Sequence, residues 1–282
     1  MKKIQLTLLG ILVILAVGCK GKADSDTMDS DSDSMDHHVD SDSDSADSDS
    51  QEMKTAISLT KLENSPAYAE AELVLDEPAN TAIAESGEID FNFTVNNYEL
   101  GAQTGGPNAE KLANSGKGQH IHFILNNQPY SAHYEPAFKK DVPDGVHHLV
   151  AFLSRSYHES VKNENSVVVK KMEIGTNPTD SLGLDMDAPT LIYSRPKGAY
   201  AGKDTENLLL DFFVLNTTLS EDGNKVRATI NGEEFMITEW APHVITGLEM
   251  GEVNIQLELL DNEGNLIDGP FNKVNRSVTL KP

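Results

Sequence analysis

The stretch GQHIHFILN (residues 118–126) decides the fold, because it aligns without a gap with GNKVRATIN (residues 223–231). Both stretches place apolar residues at alternate positions, which is the pattern of a β-strand that buries one face. Three further pairs of segments repeat in the same order: ELVLDEP (72–78) with TLIYSRP (190–196), IDFNFTV (89–95) with LLLDFFV (208–214), and DGVHHLVAFL (144–153) with MGEVNIQLEL (250–259). The chain therefore contains an internal duplication of one β-rich unit.

This duplication predicts an all-β fold with two tandem immunoglobulin-like β-sandwich domains, over residues 56–175 and 184–282. Short period-two segments alternate with turns rich in Gly, Asn, Asp and Pro, and such spacing is typical of these sandwiches. The third and fourth repeats are similar to bacterial Ig-like modules that carry a "GxHIHxxLN…GxHxLxAxL" pair of strands. That resemblance implies the same architecture for both domains.

The N-terminus has the features of a bacterial export signal. Lys2 and Lys3 precede a short apolar run, and small residues then lead to Cys19. This order is typical of a signal peptide, which we place at residues 1–18. The ending AVGC resembles the bacterial lipoprotein signal, which implies that Cys19 is lipidated and becomes the mature N-terminus. The chain is then anchored to a membrane of the cell envelope, most simply the outer membrane, on its periplasmic or surface face. An ordinary secretory signal is the alternative.

Residues 19–52 combine the cysteine with an acidic segment that consists largely of Asp and Ser. A segment with high charge and few apolar residues is expected to be a disordered tether. The whole chain has a formal net charge of −23. We therefore expect no nucleic-acid partner, because binding to nucleic acid needs a clustered positive surface. The membrane link is expected to be the lipid alone.

The duplication also assigns a side of the sheet to the histidines of the first domain. In the second domain the apolar face of the third repeat consists of Val226, Ala228 and Ile230. The aligned positions in the first domain are Ile121, Phe123 and Leu125. Successive side chains of a strand point to opposite faces, so His120 and His122 are expected to face outward. By the same argument His148, Val150 and Phe152 face outward on the fourth repeat.

We therefore expect His120, His122 and His148 to converge on the outer face of one sheet. His133 on the following strand and His158 in the next loop are expected at the rim of this cluster. Imidazoles at positions i and i+2 of a strand suit Zn²⁺ or Cu²⁺, which accept nitrogen ligands in compact geometry. This predicts a zinc or copper site with His120, His122, His148 and His133 as candidate ligands.

Two alternatives compete with this metal site. In the first, residues 54–66 or 101–118 cover the outward histidines, which then have only a structural role. In the second, the histidines belong to a metalloenzyme, because His120, His122 and His148 partly match the two cupin motifs. A cupin would place them inside a barrel. No nucleophile motif or phosphate-binding loop occurs in the sequence, so we expect a protein that is not an enzyme.

Four further residues are candidates for ligand binding. Arg155 and Tyr157 follow the strand of the fourth repeat, whereas Arg195 and Lys197 follow the first strand of the second domain. A guanidinium forks onto carboxylate or phosphate groups. NYELGAQT, AFLSRSYHES and YSRPKG are similar to segments of a flavobacterial (Bacteroidetes) lipoprotein family that is often labelled phosphopeptide-binding protein. The resemblance implies a binding module for a peptide, phosphopeptide or glycan, and copper or zinc binding is the alternative.

Overall fold

The computed structural model describes residues 56–282. The predicted signal peptide, Cys19 and the acidic tether lie outside the described residues. The strands are β1 (Ser58–Lys61), β2 (Glu72–Glu77), β3 (Ala82–Ile83), β4 (Gly87–Asn96), β5 (His120–Leu125), β6 (Ser131–His133), β7 (Ala137–Val142), β8 (Gly145–Ser154), β9 (Val167–Ile174), β10 (Thr190–Arg195), β11 (Ala199–Ala201), β12 (Leu208–Leu215), β13 (Lys225–Ile230), β14 (Glu233–Ile237), β15 (His243–Thr246), β16 (Gly251–Leu260) and β17 (Lys273–Lys281).

Helical structure is confined to short segments of the described chain. There is one α-helical turn, α1 (Asn108–Lys111), and there are 3₁₀ turns at Glu164–Ser166 and Gly202–Thr205. Within residues 56–282 no helix has the length and apolar character needed to cross a bilayer.

The strands form four sheets that pair into two Ig-like sandwiches, as the sequence predicted. In the first sandwich the sheet β2-β4-β7 faces the sheet β3-β9-β8-β5-β6. In the second sandwich the sheet β1-β15-β12-β10 faces the sheet β11-β17-β16-β13-β14. The two five-stranded sheets have the same strand order, and each begins with a parallel pair, β3 with β9 and β11 with β17.

The two halves also share an irregularity in strand pairing. The register of β2 with β4 shifts between Leu75 and Glu77, and that of β10 with β12 shifts between Tyr193 and Arg195. These residues occupy the same positions in the first repeat of the sequence. A bulge at one aligned position in both halves is what duplication of a single unit produces.

Alternating side chains fill the core of each sandwich. Ile121 and Phe123 of β5 point into the first core, where the Phe123 ring lies 4.8 Å from the ring of Phe91. The aligned residues Val226 and Ala228 of β13 are buried in the second core. The inside–outside phase that the duplication predicted for β5 is therefore correct.

The first strand corrects the predicted start of the first domain at residue 56. β1 pairs with β15 of the second sandwich, where Leu59 lies opposite Ile245. Ile57 and Leu59 also pack against the second core. β1 thus covers an edge strand whose backbone groups would otherwise lack partners. The sequence of a four-residue strand does not indicate which strand it pairs with. Chain order alone therefore assigned β1 to the wrong domain.

The outer face of β5 and β8 packs against the second sandwich. An apolar cluster joins Ile124, Val150 and Phe152 of the first sandwich to Ile192 and Phe213 of the second. Consequently β12 is buried on both faces, which explains its almost uninterrupted apolar sequence. The alternative in which residues 54–66 or 101–118 cover this face is corrected, because Ile192 of β10 and Phe213 of β12 pack on it.

Candidate metal centre

Three imidazoles converge where the start of β5 meets the loop that follows β8. The Nε2 atoms of His120 and His122 lie 2.8 Å apart, and Nδ1 of His158 lies 3.1 Å from Nε2 of His120. One ring nitrogen of each histidine lies within 4.8 Å of the other two. Zinc–nitrogen bonds of about 2.0–2.1 Å in a tetrahedron place the nitrogens about 3.3 Å apart. Small side-chain movements therefore bring all three nitrogens onto one ion.

Gly118 determines how His120 is oriented. The Gly118 carbonyl accepts a hydrogen bond from Nδ1 of His120 at 2.8 Å. Nδ1 therefore carries the proton, and Nε2 directs its lone pair at the other histidines. Gly118 has φ +86°, and a Cβ at this position would lie 2.2 Å from the carbonyl oxygen of Gly101. A side chain is excluded here, so glycine is required for this turn.

His122 is fixed by residues from both sandwiches. Its ring stacks on Tyr130 with a centroid distance of 3.5 Å and meets the edge of Phe152 at 5.2 Å. Its Nδ1 lies 3.4 Å from Oγ of Ser194, on β10 of the second sandwich. A partner at Nδ1 leaves Nε2 free to bind an ion.

His158 is presented by a tight turn. Its backbone N–H donates to the carbonyl of Arg155 at 2.8 Å, and its φ is +71°. This left-handed conformation is uncommon for residues other than glycine, and such positions cluster at functional sites. His120 and His122 are fully buried, whereas His158 is partly exposed. His158 is therefore the side from which solvent reaches the cluster.

Burial keeps the three imidazoles neutral at physiological pH. Desolvation is the main cause, and it lowers the pKa of His120 to about 4. Desolvation also holds the pKa of His122 and of His158 far below the ordinary value. The Arg195 guanidinium lowers the pKa of all three further. Because metals bind neutral imidazole, the cluster needs little deprotonation before it accepts an ion.

His148 does not belong to this cluster, so its prediction as a ligand is wrong. β5 and β8 pair with His122 opposite Phe152, which leaves His148 four residues further along β8. There its ring stacks on Phe271 at 5.6 Å, and its Nδ1 is buried without a hydrogen-bond partner. The duplication predicted the correct face of the sheet for His148 but not its distance along the strand from His122.

His133 is also excluded from the cluster, for a different reason. It lies opposite Ile121 in the pairing of β6 with β5, so its ring is on the core side of the sheet. The ring stacks on Phe138 with a centroid distance of 3.4 Å. The third ligand nitrogen comes instead from His158, which the sequence placed only at the rim.

The prediction that Arg155 and Tyr157 contact a ligand is wrong, because both are buried and engaged. Arg155 forms an ion pair of 3.0 Å with Glu159 and donates hydrogen bonds to the carbonyls of Ser160 and Pro66. Tyr157 is 1% exposed and lies in an apolar cluster with Leu112, Leu209 and Val244. These two residues hold the loop that presents His158.

Arg195 and Lys197 lie beside the histidine cluster. Arg195 is buried, donates to the hydroxyl of Tyr200 at 3.0 Å, and has an Nε without a hydrogen-bond partner. Nζ of Lys197 lies 4.2 Å from the centre of the Tyr130 ring and donates to the Tyr130 carbonyl at 2.5 Å. Among the ion pairs of residues 56–282, none involves either cation.

The cupin alternative is wrong for this fold. A cupin places its histidines inside a barrel, whereas His120 and His122 lie on the outer face of a sandwich sheet. Tyr130, which contributes to the cluster by stacking on His122, was missed in the sequence. The signal for it was weak, because a tyrosine directly after an Asn-Gln-Pro turn is common on surfaces.

Comparisons with known proteins give only distant structural similarity. No protein-family model and no curated protein matches the chain. Fibronectin(III)-like modules of Clostridium thermocellum CbhA match 74% of this chain and 94% of theirs, with 14% identity and a TM-score of 0.26. The tandem V-type regions of VCBP3, a v-region-containing chitin binding protein, match 75% of this chain and 100% of theirs, with 8% identity and a TM-score of 0.22. Bacteroides ovatus SGBP-B, solved with a mixed-linkage heptasaccharide, matches 74% of this chain and 47% of its own, with 11% identity and a TM-score of 0.21.

Proposed function

We propose that this protein binds one copper or zinc ion through His120, His122 and His158. The observation that carries the proposal is the approach of three ring nitrogens to within 4.8 Å of one another. Three imidazoles on a rigid scaffold are a ligand set that zinc and copper accept. The protein is then a metal-binding module, and we assign it no catalytic step.

This proposal is favoured over recognition of a phosphopeptide, peptide or glycan at the predicted basic residues. A phosphate reader presents accessible arginines to its ligand. Arg155 is 3% exposed and bonded to Glu159, and Arg195 is 7% exposed. Neither guanidinium is open to a macromolecule, whereas the histidine cluster has a partly exposed ligand in His158.

Metal content of protein purified without a histidine tag tests this proposal. We expect one zinc or copper ion per chain by elemental analysis, and isothermal titration should give the same stoichiometry. Replacing His158 with Ala removes a partly exposed ligand at little structural cost, and we expect at least a hundredfold loss of affinity. His122→Gln should have a similar effect.

The matched control is His148→Gln, which changes a buried histidine on the same face of the sheet but outside the cluster. It should bind the ion as the unmodified protein does. Absence of stoichiometric metal, or an equal loss of affinity in the His148 variant, would exclude the three-histidine site.

We also propose that a lipid on Cys19 anchors this module to the outer membrane. The proposal is supported by the charged start, the apolar run and the small residues that precede Cys19. Cells grown with an alkyne fatty acid should label the protein, and Cys19→Ala should abolish the label and release the protein from membranes. Unchanged labelling of the variant would exclude lipidation at this residue.

A further inference from the structure

We propose that the three-histidine cluster selects monovalent copper, Cu(I), over divalent ions such as Zn²⁺. This inference rests on the proposed metal site and concerns the ion that the site holds. It follows from the charges around the cluster, from its burial and from the number of its ligands.

The fixed charges near the cluster are positive. Arg195 and Lys197 approach from the second sandwich, and both approach Tyr130, whose ring stacks on His122. Arg195 cannot lose its proton under any condition in which the protein is folded. The aromatic rings that contact the cluster from the first sandwich are neutral and belong to Tyr130, Tyr134 and Phe152. The cation of the first sandwich that lies over one of these rings is Lys117, 5.4 Å from the centre of the Tyr134 ring.

Among the described residues, the charged groups that shift the pKa of the three histidines are cations and other histidines, and none is a carboxylate. The nearest acidic residue in sequence is Glu159, and its carboxylate is engaged by Arg155 at 3.0 Å and by the Ser65 hydroxyl at 2.5 Å. A zinc or Cu²⁺ ion in this position would add two positive charges to a buried region that already contains two. Cu(I) adds only one.

The size of this discrimination follows from Coulomb's law. The Arg195 guanidinium lies 5.3 Å from the centre of the Tyr130 ring, and that centre lies 3.5 Å from the centre of the His122 ring. For a cation about 8 Å from the ion, at an effective dielectric constant of about 20, each unit of charge on the ion lowers its binding affinity roughly thirtyfold. This factor applies once to a monovalent ion and is squared for a divalent ion. Each neighbouring cation therefore favours Cu(I) over a divalent ion by roughly that factor.

Ligand number acts in the same direction. Zinc takes four ligands, the fourth commonly water in an open site. The described residues offer three ring nitrogens, and His120 and His122 are completely buried. Cu(I) accepts three ligands in a trigonal arrangement, so it requires neither a fourth ligand nor an anion.

Competition titrations of the full chain in detergent test this inference. Cu(I) affinity is measured anaerobically against bicinchoninate, and Zn²⁺ affinity is measured against a fluorescent chelator. We expect Cu(I) to bind more tightly than Zn²⁺. Arg195→Met and Lys197→Met should each shift the ratio of the two affinities toward Zn²⁺ by about tenfold or more. In these variants the potential of the couple Cu(II) + e⁻ → Cu(I) should fall by about 59 mV for each tenfold loss of Cu(I) affinity relative to Cu(II) affinity.

Two variants control for structural damage. Arg195→Lys keeps the charge and should keep most of the selectivity. Arg276→Met removes another second-sandwich arginine that also has an unpartnered Nε and also lies over a tyrosine ring, that of Tyr193 at 5.5 Å. It does not act on the histidines, so its affinity ratio should be that of the unmodified protein. Lys197 is half-buried, so its variant keeps the test valid if Arg195→Met fails to fold.

The outcomes separate this inference from the proposed function. If neither ion binds stoichiometrically, the metal site itself is wrong. If Zn²⁺ binds more tightly than Cu(I), or the Lys197 and Arg276 variants behave alike, the site stands but its selectivity for Cu(I) is overturned. Zinc binding that appears only with added bicarbonate or phosphate would also overturn it, because the cations would then recruit an anion.

Discussion

The ring of Phe152, on β8 of the first sandwich, lies 4.5 Å from the ring of Phe213, on β12 of the second. This contact is central to the apolar cluster that joins the two sandwiches. Phe152 also contacts the ring of His122. The same contact therefore closes the interface and forms one wall of the candidate metal centre.

Phe213→Ala should allow the two sandwiches to unfold independently of each other. Loss of a buried aromatic ring costs about 3–5 kcal/mol, and here the loss falls on the joint between two cores. We expect calorimetry to show a lower melting temperature and two transitions instead of one. The control Val74→Ala changes a residue that is 39% exposed and should melt as the unmodified protein does. A single unshifted transition in the Phe213 variant would show that the joint is not required.

Arg155→Met should destabilise the loop that presents His158. It leaves the buried Glu159 carboxylate without its 3.0 Å partner, and breaking a buried pair costs about 3–5 kcal/mol. Chemical denaturation measures the loss, and the double variant Arg155→Met with Glu159→Gln should recover part of it. Metal affinity should fall in the single variant. Loss of the Arg155 side-chain contacts would move its backbone, and the carbonyl of Arg155 accepts the hydrogen bond from the His158 N–H.

The exposed ion pair of Lys139 with Glu88 supplies a control. Both side chains are more than half exposed, and exposed pairs contribute little. Lys139→Met should therefore leave the denaturation midpoint unchanged. Equal effects of the Arg155 and Lys139 variants would contradict a special role for the buried pair.

Gly118→Ala should disturb His120 selectively. The new Cβ would meet the Gly101 carbonyl oxygen at 2.2 Å and would force φ away from +86°. The Gly118 carbonyl would then move and no longer accept a hydrogen bond from Nδ1 of His120. Metal affinity should therefore fall at least tenfold. Titration calorimetry measures this, and Gly116→Ala, where nothing lies within 4 Å, is the neighbouring control.

Stability should fall as the pH falls from about 6.5 to about 4. Burial lowers the pKa of His120 and of His148 to about 4, whereas an unfolded histidine has a pKa of about 6.5. Between these values the unfolded chain binds more protons, so stability is full above the window and decreases through it. The slope approaches about 1.4 kcal/mol per pH unit for each such histidine. Urea denaturation in the presence of EDTA measures it.

His148→Phe isolates one part of this pH dependence. Its Nδ1 is buried without a partner, and its ring already stacks on Phe271. Phenylalanine keeps the stacking and cannot be protonated, so the slope should decrease by about one histidine's share. An unchanged slope would show that His148 is solvated and titrates normally in the folded protein.

Alternation and duplication predicted the positions of some residues of the candidate site but not of others. Alternation in β5, read against β13, correctly placed Ile121 and Phe123 in the core and His120 and His122 on the other face. It failed for His148, because position along a strand relative to its neighbour depends on register. The separate prediction of a ligand contact at Arg155 also failed, since a basic side chain in a loop has the same sequence signal whether it is exposed or buried.

By itself the sequence determined the two-sandwich fold, the order of its four repeated segments and the faces to which the residues of β5 and β8 point. These properties follow from local alternation and from the duplication, because every residue of a repeated strand contributes to both patterns. The tertiary structure alone decided that β1 joins the second sandwich, that the second sandwich covers the histidine face, and that His158 completes the cluster. Those outcomes depend on contacts between segments distant in the chain, and the shape and burial that select such contacts exist only after both cores have formed.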